Sequence, residues 1–151
     1  MLAGIRMSPE SRDVFDGITD LVKRNARPGD TLLVYPYYPI FYPATGLNPP
    51  TFAFNHFVDV TPDWIVEREL AALRQSPPGF VVFLQEDNSD VEVNDRVFRG
   101  GRPSQSRRIG ALLVEMTRDY TLLGSFQTPV RGADLKVWRR PPRQFSEPGF
   151  D

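Results

Sequence analysis

Between Asp30 and Pro50 the chain passes from an unbroken apolar run, Leu32-Leu33-Val34-Tyr35, into a segment crowded with proline and tyrosine. An apolar run without alternation marks a strand covered on both faces. Phe80-Val-Val-Phe-Leu84 repeats the pattern. Two such strands separated by helical periodicity commit the chain to an α/β class. The segment after the first strand holds Tyr37, Tyr38 and Tyr42 with Phe41, between prolines 36, 39, 43, 49 and 50. Tyrosine joins a large apolar ring to a polar tip, which suits a surface both apolar and wet. Ligands of open α/β sheets bind outside the carboxyl ends of the strands. A crevice is therefore expected where this segment begins.

Local signals place the helices. Ser8-Pro9-Glu10 supplies an N-cap, a proline at the first helical position and an acid at the positive end of the dipole. Val14, Ile18, Leu21 and Val22 follow at helical spacing, giving a helix over 9–25. Residues 39–44 form a short helix stopped by Gly46. Thr51 to Phe54 reads as a weak strand, and Thr61-Pro62-Asp63 opens a helix over 62–75. Residues 88–104 are polar and glycine-bearing and are expected to be the most mobile internal loop. A helix over 106–118 follows, with Ser104 and Ser106 as its N-capping residues. Tyr120–Phe126 and Asp134–Trp138 then alternate around Arg131-Gly132-Ala133 as a β-hairpin. The expected architecture is a layered α/β sandwich with a mostly parallel sheet. Strands 31–36 and 80–86 lie centrally in it, with the C-terminal β-hairpin toward one edge. Residues 1–140 make one domain, and 141–151 a disordered tail.

Composition removes several functions. The formal charge is −1, so no long-range field draws nucleic acid, and no nucleic-acid partner is expected. The absence of cysteine excludes thiolate catalysis and cysteine metal sites. Arg99-Gly100-Gly101-Arg102 lacks the Gly-Lys-Ser/Thr ending of a phosphate loop. It reads as a flexible loop, or as an anion holder through backbone N–H groups and guanidinium forks. His56 is the single histidine; a structural imidazole is favoured over a catalytic one. No catalytic residue, metal site or cofactor is assigned. Glu86, Asp87 and Asn88 follow the second buried strand, where carboxylates face Tyr37, Tyr38 and Tyr42 across the crevice. There the rings would stack on a sugar and the carboxylates accept its hydroxyls. The plainer alternatives are a solvated loop start for the acids and a cap on the core for the rings.

One pattern resembles a known group. Pro28-Gly29-Asp30, the strand Leu32–Tyr35, and Tyr42-Pro-Ala-Thr45-Gly46-Leu-Asn-Pro49-Pro50-Thr51 are similar to the soluble tail of bacterial GT-C-type membrane glycosyltransferases. These are akin to dolichyl-phosphate-mannose–protein mannosyltransferases and aminoarabinose transferases. Leu113 to Gly124, closing on Leu135–Arg140, is similar to the end of such proteins. The resemblance implies a non-catalytic extracytoplasmic, periplasmic domain partnered by a membrane-helix bundle of the same parent chain. It would help position a glycan or a polyprenyl-phosphate-linked sugar. No catalytic residue of that group maps onto this chain. The alternative function is a stand-alone small-ligand module using the same crevice; a hydrolase or transferase pairing His56 with Glu86 or Asp87 ranks third.

Overall fold

The computed structural model describes residues 6–56, 61–84, 88–128 and 133–142. Helix α1 (Pro9–Asn25) starts as its sequence dictates, with the Ser8 hydroxyl accepting from the N–H of Ser11 at 3.2 Å. Strand β1 (Leu32–Tyr35) follows, then α2 (Phe41–Thr45), whose C-cap Gly46 takes φ 75°. Helix α3 (Asp63–Gln75) leads into β2 (Phe80–Leu84). Two helices come next, α4 (Asn88–Arg99) and α5 (Arg107–Met116). A hairpin of β3 (Thr121–Gln127) and β4 (Asp134–Arg139) completes the order. Among the described residues no helix is long and apolar enough to cross a membrane.

The four strands form one mixed sheet in the order β1-β2-β4-β3. Only β1 and β2 are parallel; β2 with β4 and β4 with β3 are antiparallel. The expectation of a mostly parallel sheet is thus corrected. The hairpin does not merely flank the parallel pair: β4 hydrogen-bonds along the whole of β2, from Phe80 opposite Arg139 to Leu84 opposite Leu135. The hairpin does reach one edge, held by β3. The other edge is β1, which was expected to be central. Its four residues are nonetheless buried, because the segment after α2 covers that edge. Asn48 bridges to Thr31 and accepts from the N–H of Leu32 at 3.0 Å, and the N–H of His56 donates to Pro36 at 2.9 Å. Covering an edge this way withholds its free N–H and C=O groups from other chains. Residues 51–54, expected as a weak strand, are a series of bends in this cover.

Side chains alternate across the sheet as the two-residue period requires. Leu32, Val34, Phe80, Val82, Leu135 and Val137 face Ile18 and Val22 of α1 and Phe41 and Tyr42 of α2. Leu33, Tyr35, Val81 and Phe83 face Val66, Leu70 and Leu73 of α3 and Ile109, Leu112 and Leu113 of α5. At Gly110 an added Cβ would meet the Tyr35 ring at 3.4 Å, so α5 lies close on that ring.

The stretch expected to be a mobile loop is a helix over most of its length. Its anchor is a charge rather than an apolar stripe. Asp95, buried, accepts from the N–H of Ser104 at 3.0 Å and from the guanidinium of Arg107. The helix ends on Arg99, which donates to Asp63 at 3.0 Å, and Gly100 and Gly101 take φ 62° and 82° to turn the chain back. The start of α5 also differs from expectation. The side chain of Ser106 makes no cap bond; the hydroxyl of Ser104 accepts from the N–H of Ser106 instead.

Candidate functional site

Beyond the end of β1 the chain enters a cis Tyr35–Pro36 peptide and then, at Tyr38, a left-handed backbone with φ 74°. A residue with a β-carbon bears roughly 1–2 kcal/mol of strain there. Such a conformation persists only where its surroundings over-determine it. Here the Tyr38 ring lies 6.5 Å from Phe41 and 6.3 Å, edge-on, from Tyr37. The turn is closed by Phe41 N–H donating to Tyr38 and Tyr42 N–H donating to Pro39.

This turn makes one wall of a cleft of about 150 Å³. Val14 and Phe15 of α1 form the opposite wall, with Phe15 stacked on Phe41 at 5.4 Å. Leu135 of β4 and Thr128 also line the cleft. Leu135 pairs with Leu84, the last residue of β2, so the cleft sits at the carboxyl ends of the parallel strands. Of the three tyrosines expected at a crevice, Tyr38 lines this cleft and Tyr37 and Tyr42 do not.

Tyr37 and Tyr38 are half-buried and packed against the core on the α1 face. Tyr42 is buried, and its hydroxyl oxygen accepts from the N–H of Val34 at 3.2 Å. Burial pushes that phenol up to about 12, opposed by the Val34 N–H and reinforced by the nearby charge of Glu69. Its hydroxyl thus serves the core. Glu86 and Asp87 lie outside the described residues, and Asn88 is described only as the first residue of α4.

A second group was only half legible in the sequence. His56 and Glu69 are both 0% exposed, with Nε2 and Oε2 4.0 Å apart. The other carboxylate oxygen of Glu69 accepts from the N–H groups of Phe52 and Ala53 at 3.1 and 3.3 Å. The Tyr35 ring packs 5.8 Å from the imidazole. Two influences on His56 oppose one another. A carboxylate at 4.0 Å favours the imidazolium, whereas burial favours the neutral ring. Burial prevails and lowers the pKa to about 4. The reason is geometric: 4.0 Å is beyond hydrogen-bonding distance, and Glu69 already serves two backbone donors. The contact is therefore not an ion pair at neutral pH. Neither imidazole nitrogen has a hydrogen-bond partner among the described residues.

Enclosed on all sides, this pair holds the cover of β1 in place. The signal for it was available in α3. Glu69 interrupts the inner stripe Ile65, Val66, Leu70, Leu73, and a carboxylate in such a stripe calls for buried donors. Among the described residues no group of three or more His, Asp or Glu side chains could hold a metal ion.

The chain matches no family model, no curated protein and no solved structure.

Proposed function

We propose that this chain is a non-catalytic binding domain whose Tyr38 cleft positions the isoprenoid end of a polyprenyl-phosphate-linked sugar. The observation that supports this reading is the lining of the cleft: Val14, Phe15, Tyr38, Phe41 and Leu135 present hydrocarbon and ring faces at the carboxyl ends of β1 and β2. A sugar needs hydrogen-bonding partners around its rim, whereas a methyl-branched chain gains from apolar burial alone. Whole small-molecule sites occupy roughly 300–1,000 Å³. A cleft of about 150 Å³ thus takes the end of such a chain and leaves phosphate and sugar outside. Tyr38 becomes a wall for hydrocarbon rather than a platform for a pyranose. Catalysis is set aside because the single imidazole is sealed in the core.

The finer architecture belongs to the same reading: a layered α/β sandwich, α1 and α2 over one face and α3 and α5 over the other. So does its setting, on the extracytoplasmic face of a membrane beside a helix bundle of a glycosyltransferase-like parent chain. A stand-alone module for a small apolar ligand would use the same cleft, but would have no room for a charged head at its mouth.

The test is a titration of the folded chain with geranyl phosphate, geraniol and glucose 1-phosphate, followed by the methyl resonances of Val14 and Leu135. Both prenyl compounds should shift these methyls, glucose 1-phosphate should not, and Val14→Trp should abolish both responses by filling the cleft. A response to geraniol that geranyl phosphate does not share would move the assignment to the stand-alone module. Silence of the methyls toward every prenyl compound would remove the proposal.

A further inference from the structure

The connection from β1 through α3 to β2 places the first turn of α3 at the carboxyl ends of the two parallel strands. Ligands of α/β sheets enter at that end. On this side of the sheet, between the start of α3 and the turn that follows α4, lies a second cleft of about 410 Å³. Its size falls within the range of small-molecule sites.

The groups around it differ from those of the Tyr38 cleft. Trp64 lines this second cleft with 64% of its surface exposed. Asp63 beside it accepts from Arg99 through one carboxylate oxygen. The Arg99 side chain is mostly enclosed, and its Nε is buried without a hydrogen-bond partner among the described residues. Gly100 and Gly101, both at positive φ, bring Arg102 back to the cleft, where its guanidinium has no carboxylate partner among the described residues. Gln105 uses its carbonyl oxygen on Arg108 at 3.4 Å and keeps its NH2 group as a donor. An exposed indole face, a carboxylate, an amide and a cation with no carboxylate partner among the described residues thus surround one opening.

We propose that this cleft binds an acidic pyranose, a uronic acid or a sugar phosphate. The apolar face of the ring stacks on Trp64, neighbouring hydroxyls bond to Asp63 and Gln105, and the anionic group meets Arg102. An indole offers a broad face for the C–H side of a sugar. A carboxylate accepts from hydroxyls, and a guanidinium fork fits a carboxylate or phosphate. A nucleotide fits less well. Pro62 and Pro103 lack N–H groups, so a phosphate chain would find no backbone cradle from them. The proposal is independent of the Tyr38 cleft and of the prenyl reading.

The experiment titrates the folded chain with glucuronic acid, glucose 1-phosphate, glucose and uridine monophosphate up to tens of millimolar, reading the Trp64 indole N–H resonance. Both acidic sugars should shift it saturably, and glucose should bind at least about tenfold more weakly, since a charged hydrogen bond is lost. Trp64→Ala should abolish the binding, with protection followed through other shifted residues. Arg102→Gln should weaken the acidic sugars about ten- to hundredfold and leave glucose unchanged. Because Trp64 and Arg102 are exposed, both variants should keep the parent melting temperature. Three results would each overturn the assignment. They are no saturable shift with either acidic sugar, undiminished binding by Trp64→Ala, and uridine monophosphate binding as tightly as the acidic sugars.

Discussion

The buried imidazole makes a definite prediction about acid. His56 takes up its proton near the ordinary 6.5 when the chain is unfolded, but only near about 4 when folded, because burial penalises the charged ring. Between these values the unfolded state holds more protons, so stability falls as pH falls. The loss begins below the unfolded pKa and is complete once pH drops below the folded one. The full difference corresponds to roughly 3 kcal/mol, of which about 2 kcal/mol should appear between pH 7 and pH 5. That upper window isolates the effect, since ordinary carboxylates titrate lower and His56 is the only histidine. The titratable groups against the ring are Glu69 from α3, at 4.0 Å, and the Tyr35 phenol from β1, at 5.8 Å between ring centres. Urea denaturation at the two pH values should show the drop in the parent chain. In His56→Gln, which keeps a polar group but cannot titrate, the drop should nearly vanish. A folded-state titration of the His56 ring near 6.5, or an undiminished drop in the variant, would refute the reasoning.

Substitutions at two positions test the backbone around the Tyr38 cleft. Tyr38→Gly and Tyr38→Ala lose the same ring, but only glycine relieves the left-handed strain at φ 74°. After glycine's own entropic cost, the Gly variant should be the more stable by about 0.5–1 kcal/mol in urea melts, and equal stability would contradict the strain. Gly17 sits mid-helix in α1, where alanine ordinarily adds about 1 kcal/mol. Here its Cβ would stand 2.7 Å from the Phe126 ring of β3, so Gly17→Ala should lower the melting temperature through overpacking. In a Phe126→Leu background the same change should raise it; a gain in both backgrounds would mean the ring gives way freely.

What could be read from the sequence was local. Ser8 caps α1 where expected, Gly46 stops α2, and the two apolar runs are the buried parallel strands. The order of strands was not legible. Leu135 and Val137 alternate in the same way whether β4 lies beside β2 or only beside β3; the choice is made by long-range pairing. Helix α4 escaped because periodicity reads apolar stripes. Val93, Val97 and Phe98 are exposed, while the residue that holds the helix down is Asp95. The candidate sites divide in the same way. The tyrosine segment pointed to the carboxyl-end crevice, but its apolar character depends on Val14, Phe15 and Leu135, which come from elements far apart in the chain. Trp64 and Arg102 are likewise far apart in sequence and meet only through the Asp63–Arg99 contact and the turn at Gly100 and Gly101.

The place of β4 also governs how the molecule is made. Synthesis delivers β1, α3 and β2 first, and the parallel pair can then form with one flank of Phe80–Leu84 still open. About fifty residues must be added before β4 arrives to occupy that flank. At roughly 5–20 residues per second the wait is roughly 3–10 s. During that interval the nascent chain carries a bare, wholly apolar strand edge able to pair with a neighbouring nascent chain. The risk of misassembly is thus concentrated on the ribosome, and it ends when the last strand docks into the middle of the sheet.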